Sequence, residues 1–344
     1  MVSKPKFLFG AFNNFSNKDV MAFFEENGLA LKEERGNRIF PQSDKASDVT
    51  KTLEKAIVKA GVDIRLNTQV NSVETVNGAI SAVITNKGMV NCDSVIVCTG
   101  GCSYPTTGST GDGYKFATKV GHTVTKLNPS LVGVELKGSD FQELQGLSLK
   151  NVSICASCGD KQIYKDFGEM LFTHFGISGP IVLSCSALIN KLDINSIKFY
   201  IDLKPALDFD VLDKRLVREF RDNNVKTLST TMRSLLPKVL INVVLRQANV
   251  NGNKNCSEIT LNERQQLVKT LKSMVFSAKR LRPIEEAIVT SGGVCVKEIN
   301  PKTMESKLIK GLFFAGEILD LDAFTGGYNL QIAFSTGYTA GLFC

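Results

Sequence analysis

Gly311-Leu-Phe-Phe-Ala-Gly-Glu-Ile-Leu-Asp320, followed by Thr325-Gly-Gly-Tyr-Asn329, decides how the rest of the chain is read. Leu312 to Ala315 is a continuous apolar run of strand length, which predicts a strand buried on both faces, as in a sheet covered by helices. Gly316 ends it. Gly326 and Gly327 permit close backbone approach or positive φ. Leu330 to Gly341 has the composition of a helix, whose free N–H groups would point at whatever occupies the turn. An anion is stabilised there, so the pattern predicts a phosphate-bearing cofactor. Val95-Ile-Val-Cys-Thr99 repeats the logic, running straight into Gly100-Gly101 with further glycines at Gly108, Gly111 and Gly113.

Working outward, Ser16-Asn-Lys-Asp19 has capping-box spacing, and Val20, Phe23 and Phe24 recur at helical intervals until Gly28. Ser47 is placed to cap a second helix carrying Val49, Leu53, Ile57 and Val58. After Gly61, Val62, Ile64 and Leu66 alternate as in a strand. Val70 to Val76 and Ala79 to Thr85 flank Asn77-Gly78, the strongest short-range hairpin signal, and Met89 to Thr99 supplies a further strand. Asp112 or Gly113 opens another helix, closed at Gly121-His122. From about Pro129 the character changes. Strand-like stretches at Leu131–Leu136, Leu149–Cys155 and Ile197–Leu203 precede a lysine-rich helical stretch from Asp208 to Arg280, which predicts an inserted domain. Strand signals resume at Ala287–Val296.

The 344 residues suffice for two domains, and 43% hydrophobic with 22% charged content is ordinary for a globular protein. The chain lacks an apolar run of spanning length, and polar residues interrupt its start, so a cytoplasmic protein with no membrane partner is expected. Nine scattered cysteines predict reduced thiols. Cys155-Ala-Ser-Cys158 has redox or zinc spacing, but without a second pair, and with His122 and His174 the only histidines, no metal is expected. The charge of +7 is spread along the chain without a basic run or interleaved aromatics, so no nucleic-acid partner is expected.

Several blocks in order resemble one family: Arg38-Ile-Phe-Pro41 with Ser43-Asp-Lys-Ala46, Thr99-Gly-Gly-Cys-Ser-Tyr-Pro105 with Gly108-Ser-Thr-Gly-Asp-Gly113, and Leu171-Phe-Thr-His-Phe-Gly-Ile-Ser-Gly-Pro180. Thr290-Ser-Gly-Gly-Val294 and the closing segment through Gln331 complete the set. On these residues, over nearly its whole length, the chain resembles the HI0933-like flavoproteins, also known as the aminoacetone oxidase family or NAD(P)/FAD-dependent oxidoreductases, which include a bile-acid reductase subgroup. The resemblance implies an α/β fold, a discontinuous Rossmann-like FAD-binding domain at 1–128 and 286–344. A substrate domain is inserted at 129–285, β-barrel at about 129–205 and helical at about 206–282. In that family a strand, a G-x-G-x-x-G turn and a helix precede the segment matching Lys4-Pro-Lys-Phe-Leu8. The resemblance therefore implies a fragment or a truncated paralogue, completed by a segment or partner chain that carries the pyrophosphate turn.

The implied site follows residue by residue. Asp320 would accept a hydrogen bond from a ribityl hydroxyl of FAD, the plain alternative being a helix or turn cap. Gly326, Gly327, Tyr328 and Asn329 would face the flavin or pyrophosphate after the Gly316-Glu317 turn, and Thr99, Gly100 and Gly101 would let the chain pass under the cofactor. His174, beside Thr173 and Ser178, is the candidate for substrate contact or proton donation. Tyr104 and Tyr328 are candidates for stacking. The implied activity is that of an FAD-dependent oxidoreductase taking hydride from NAD(P)H or a small organic substrate and passing it to an unsaturated or carbonyl substrate or to oxygen. The competing expectation is a non-catalytic remnant or interaction protein that no longer binds FAD.

Overall fold

The computed structural model describes residues 3–34 and 36–344. The chain divides into two compact units, Met1–Asn128 with Ile288–Cys344, and Pro129–Ala287. Each buries its own hydrophobic core.

In the discontinuous unit, Val95–Val97 and Leu312–Phe314 form a parallel pair with Val95 opposite Leu312 and Val97 opposite Phe314. Leu312, Phe313, Phe314 and Ala315 are all buried, as a strand packed on both faces requires. The Val70–Val76 and Ala79–Thr85 hairpin turns on Asn77-Gly78, both at positive φ (51° and 77°), the geometry that matches strand twist. Gly88–Asn91 adds a third strand. The stretch read as one strand from Met89 to Thr99 is therefore two, separated at Cys92–Ser94. Ser16 and Asp19 form the expected capping box on the helix Asn17–Glu26. The second helix runs Ala46–Lys59, and Tyr328–Phe343 closes the chain.

Val62, Ile64 and Leu66 are a correction. They alternate with polar residues but are exposed, and no ladder pairs them among the described residues. Alternation gives a strand only where a neighbour supplies backbone partners.

His122 ties three separate segments of this core together. Ser306 Oγ accepts from the N–H groups of Leu308 and Ile309 (3.0 and 2.9 Å), so its own hydrogen is directed to His122 Nε2 at 2.8 Å. Nδ1–H then donates to Glu298 Oε2 at 3.0 Å. Burial holds the imidazole below its ordinary pKa, partly offset by Glu298. The folded state thus favours neutral imidazole. The stability it contributes is present above the unfolded value of about 6.5 and lost as pH falls below it. Acidifying from pH 7 to 5 is expected to lower the melting temperature by about 2–4 °C more in the native chain than in His122→Gln, which cannot titrate.

The second unit is a closed six-stranded barrel in the order Lys161–Phe172, Gly176–Ser178, Val134–Leu136, Met274–Leu281, Ile197–Asp202, Ser148–Cys158. Val152, Ile154 and Ala156 face inward from one strand, and Phe199 and Ile201 from its neighbour, with Ile201 opposite Ile154. Cys155 and Cys158, three apart on one strand, point to opposite faces, which separates the two thiols. The stretch expected to be helical to Arg280 is helical only to Lys272, and Met274–Leu281 is a barrel strand instead. Its inward residues Met274, Phe276 and Ala278 repeat every second position. Before it come the helices Phe209–Asp222, Lys238–Ala248 and Leu261–Lys272. Leu212, Leu216 and Phe220 recur at four-residue spacing along the first, and all are buried.

Candidate functional site

The parallel register brings the carboxyl ends of the two glycine-ended strands side by side, the position where open α/β folds receive ligands. Thr99-Gly100-Gly101 leaves one strand and Ala315-Gly316-Glu317 the other. Gly101 is required by close approach. A Cβ there would lie 2.3 Å from Thr290 Oγ1 and 2.7 Å from Glu317 Oε1. Glu317 Oε1 accepts the N–H of Thr290 at 2.7 Å and the hydroxyl of Ser103 at 3.1 Å, while Cys102 N–H donates to Thr290 Oγ1 at 2.8 Å. Glu317 therefore clamps the Gly100–Ser103 loop to Thr290. Gly113 lets the helix Asp112–Lys119 pack close, since a Cβ there would sit 2.1 Å from Thr99 Oγ1 and 2.5 Å from Ile318 Cδ1.

Asp320 lies three residues beyond Glu317 and is 4% exposed. Its Oδ2 is ion-paired with Lys4 Nζ, whereas Oδ1 has no partner among the described residues. A buried carboxylate oxygen without a protein partner calls for a donor from outside the chain, a bound ligand or an ordered water. The neighbouring Ser3 Oγ donates to Asp322 Oδ1 (2.9 Å) and accepts from Asp322 N–H (3.1 Å), lacing the start of the chain to this turn. Asn329 uses both ends of its amide within the protein. Oδ1 accepts from Ala323 N–H and Nδ2 donates to Ala323 O, each at 2.9 Å, so its side chain shapes the 323–329 loop. Gly327, at φ 89°, caps the sixteen-residue closing helix, and Gly316 N–H is held by Thr336 Oγ1 of that helix at 2.9 Å.

Thr99, Gly100, Gly101, Gly316, Glu317 and Asp320 thus share one end of the parallel pair. Gly326, Gly327, Tyr328 and Asn329 form the entrance to the closing helix, with Tyr328 exposed. Tyr104 is also exposed, at positive φ. His174 belongs to the barrel unit, exposed between two barrel strands with its ring edge-on to Phe175. Sequence reading missed Lys4, Ser103 and Tyr114 and gave Thr290 no role. Thr290 stood inside a quoted block and Tyr114 directly follows Gly113. Nothing local marks Lys4, whose partner lies at the far end of the chain.

The residues fit FAD: the open backbone at Gly327, where an added Cβ would meet nothing within 4 Å, and a buried carboxylate oxygen free to accept from a polyol. No helix among the described residues is long and apolar enough to cross a membrane. Comparison with known proteins gives the same family along the whole chain. The 3-dehydro-bile acid delta(4,6)-reductase of Clostridium scindens is 30% identical over 98% of this chain and 82% of its own length. Ribosomal RNA dihydrouridine synthases of Haemophilus influenzae (32%, over 98% of this chain and 82% of the relative) and Escherichia coli (28%, over 97% and 80%) are also similar. The HI0933-like protein Rossmann domain model matches residues 1–343, and the chain belongs to that flavoprotein family.

Proposed function

We propose that this chain is an FAD-dependent reductase that uses NAD(P)H or a small organic hydride donor to saturate a carbon–carbon double bond conjugated to a carbonyl in a small molecule. The observation that carries the reading is the unpaired, buried Asp320 oxygen at the shared end of the two glycine-ended strands. The relatives' names supply the reaction class. A 3-dehydro-delta(4,6) steroid is a conjugated dienone, and dihydrouridine is uridine saturated beside its carbonyl. FAD, when bound, supplies the capacity to accept and return hydride. The protein's part is to hold it by the Gly327 backbone and the Gly100–Ser103 loop that Gly101 lets pack on Thr290, anchor a hydroxyl on Asp320, and exclude water. His174 is the proposed proton donor to the substrate.

A small molecule is favoured over RNA because the charge of +7 is spread along the chain without a basic run or interleaved aromatics. Neither a nucleic acid nor a membrane is a proposed partner. The nine cysteines are all free, which suits the proposed cytoplasmic setting. The test is NAD(P)H consumption by the FAD-supplemented chain with a dienone bile acid, a simple enone, or uridine-containing RNA. Oxidation that depends on the enone, with a product richer by one hydrogen molecule, is expected, and His174→Gln should slow it by about 10²-fold or more. Turnover on RNA alone would replace the small-molecule reading, and a chain that stays colourless with FAD would favour the remnant.

A further inference from the structure

Besides Ser291 Oγ, next to Thr290, two atoms of the discontinuous unit lack a partner among the described residues although each belongs to a side chain more than nine-tenths buried. They are Asp320 Oδ1 and the phenolic oxygen of Tyr114, at 4% and 6% exposure. A carboxylate oxygen only accepts, and a protonated phenol donates. Leaving both unmade in the interior forfeits their hydration with no return, so their joint presence calls for a ligand.

The two groups belong together. Tyr114 lies in the first turn of the Asp112–Lys119 helix, which Gly113 brings against Thr99 and Ile318. Its ring passes Gly111, where a Cβ would sit 3.5 Å from it and 3.0 Å from Cys102 Sγ. Burial above all, then the fields of Cys102, Glu317 and Asp320, hold the phenol protonated. Tyr114 thus packs in the same buried cluster as Ile318, Leu319 and Leu321, the segment that carries Asp320. Lys4 engages the other oxygen of Asp320, which balances its charge and leaves Oδ1 to the ligand.

A donor and an acceptor in one buried neighbourhood suit a chain of hydroxyl groups, which gives a hydrogen to one and takes a hydrogen from the other. We propose that Tyr114 is a further cofactor-binding residue, donating its O–H to the hydroxyl chain of the flavin that Asp320 Oδ1 also holds, with Lys4 as the residue that positions Asp320. The inference rests on the FAD reading above.

The experiment is a titration with FAD and with riboflavin, which keeps the hydroxyl chain and lacks the phosphates, read by flavin fluorescence quenching. It uses the native chain, Tyr114→Phe, Lys4→Met and Lys4→Arg, with melting of each protein in the absence of flavin. Tyr114→Phe should weaken both flavins by the same factor, about five- to tenfold, the equivalent of one neutral hydrogen bond. Its flavin-free melting temperature should be equal to or above that of the native chain, because an unmade buried hydroxyl has been removed. Lys4→Met should weaken both flavins and Lys4→Arg should restore most of the loss. A lower melting temperature for flavin-free Tyr114→Phe would mean that the hydroxyl serves the fold, and would overturn the proposal. Unchanged affinity, or a loss confined to FAD, would overturn it too. A native chain that quenches neither flavin would remove the FAD reading itself, and the proposal with it.

Discussion

Gly101→Ala is expected to cost the chain its flavin. The added Cβ would meet Thr290 Oγ1 at 2.3 Å and Glu317 Oε1 at 2.7 Å, and both atoms already serve the clamp on the Gly100–Ser103 loop. Neither can retreat without breaking a hydrogen bond to a backbone N–H. Overpacking of this kind costs about 1–3 kcal/mol. If that strain is relieved by displacing the loop, FAD affinity falls by about tenfold to a hundredfold. Flavin fluorescence titration of the purified variant, with far-UV circular dichroism to show that the fold is kept, measures it. Undiminished affinity would mean that the loop yields freely and does not support the cofactor.

Glu135→Ala is expected to destabilise the barrel unit. Glu135 is 5% exposed and receives Arg280 Nε on one oxygen and Arg282 Nη1 on the other, both at 2.8 Å. It sits at the middle of Val134–Leu136, a three-residue strand that joins Gly176–Ser178 to Met274–Leu281. Truncation leaves Arg282, which also stacks over Phe175 at 4.8 Å, with only Glu286. Breaking a buried pair costs about 3–5 kcal/mol. Arg280 is largely solvated, so its share is screened and about 2–3 kcal/mol is the expectation in urea unfolding. Arg280, with help from Arg282, holds the carboxyl below its ordinary range. A depressed folded pKa stabilises above the unfolded value of about 4.3 and is lost as pH falls through the folded value. The gap between native and variant should therefore narrow on acidification below that point, and a pH-independent gap would assign the loss to packing alone.

What could be read in advance was carried by short-range patterns. Leu312–Ala315 announces a doubly buried strand, Asn77-Gly78 a hairpin, and Ser16 with Asp19 a helix start, because each depends on residues within a few positions. Met274–Leu281 carried its alternation too, but it follows a helix with a single residue between and was absorbed into it. The unpaired Val62–Leu66 stretch reverses the case, a strand pattern without a neighbour. At the site, the glycine-ended strands were legible because glycine next to an apolar run is local. Lys4 against Asp320, Thr290 against Glu317 and the seat of Tyr114 were not. They depend on which distant segments the fold makes adjacent, and composition holds no trace of that.

The pairing of Val95–Val97 with Leu312–Phe314 also sets a timetable. A ribosome delivers the first strand early and the second only after the whole barrel unit has emerged. Until then the first strand lacks that partner on one edge, whereas the barrel, whose strands all lie between Val134 and Leu281, can form while synthesis continues. A folded insertion shortens the effective gap between the waiting strand and its partner, which lowers the entropy lost in joining them. A translation arrest before Leu312 would therefore release a chain with a finished barrel and an unfinished sheet, sticky at one end and inert at the other.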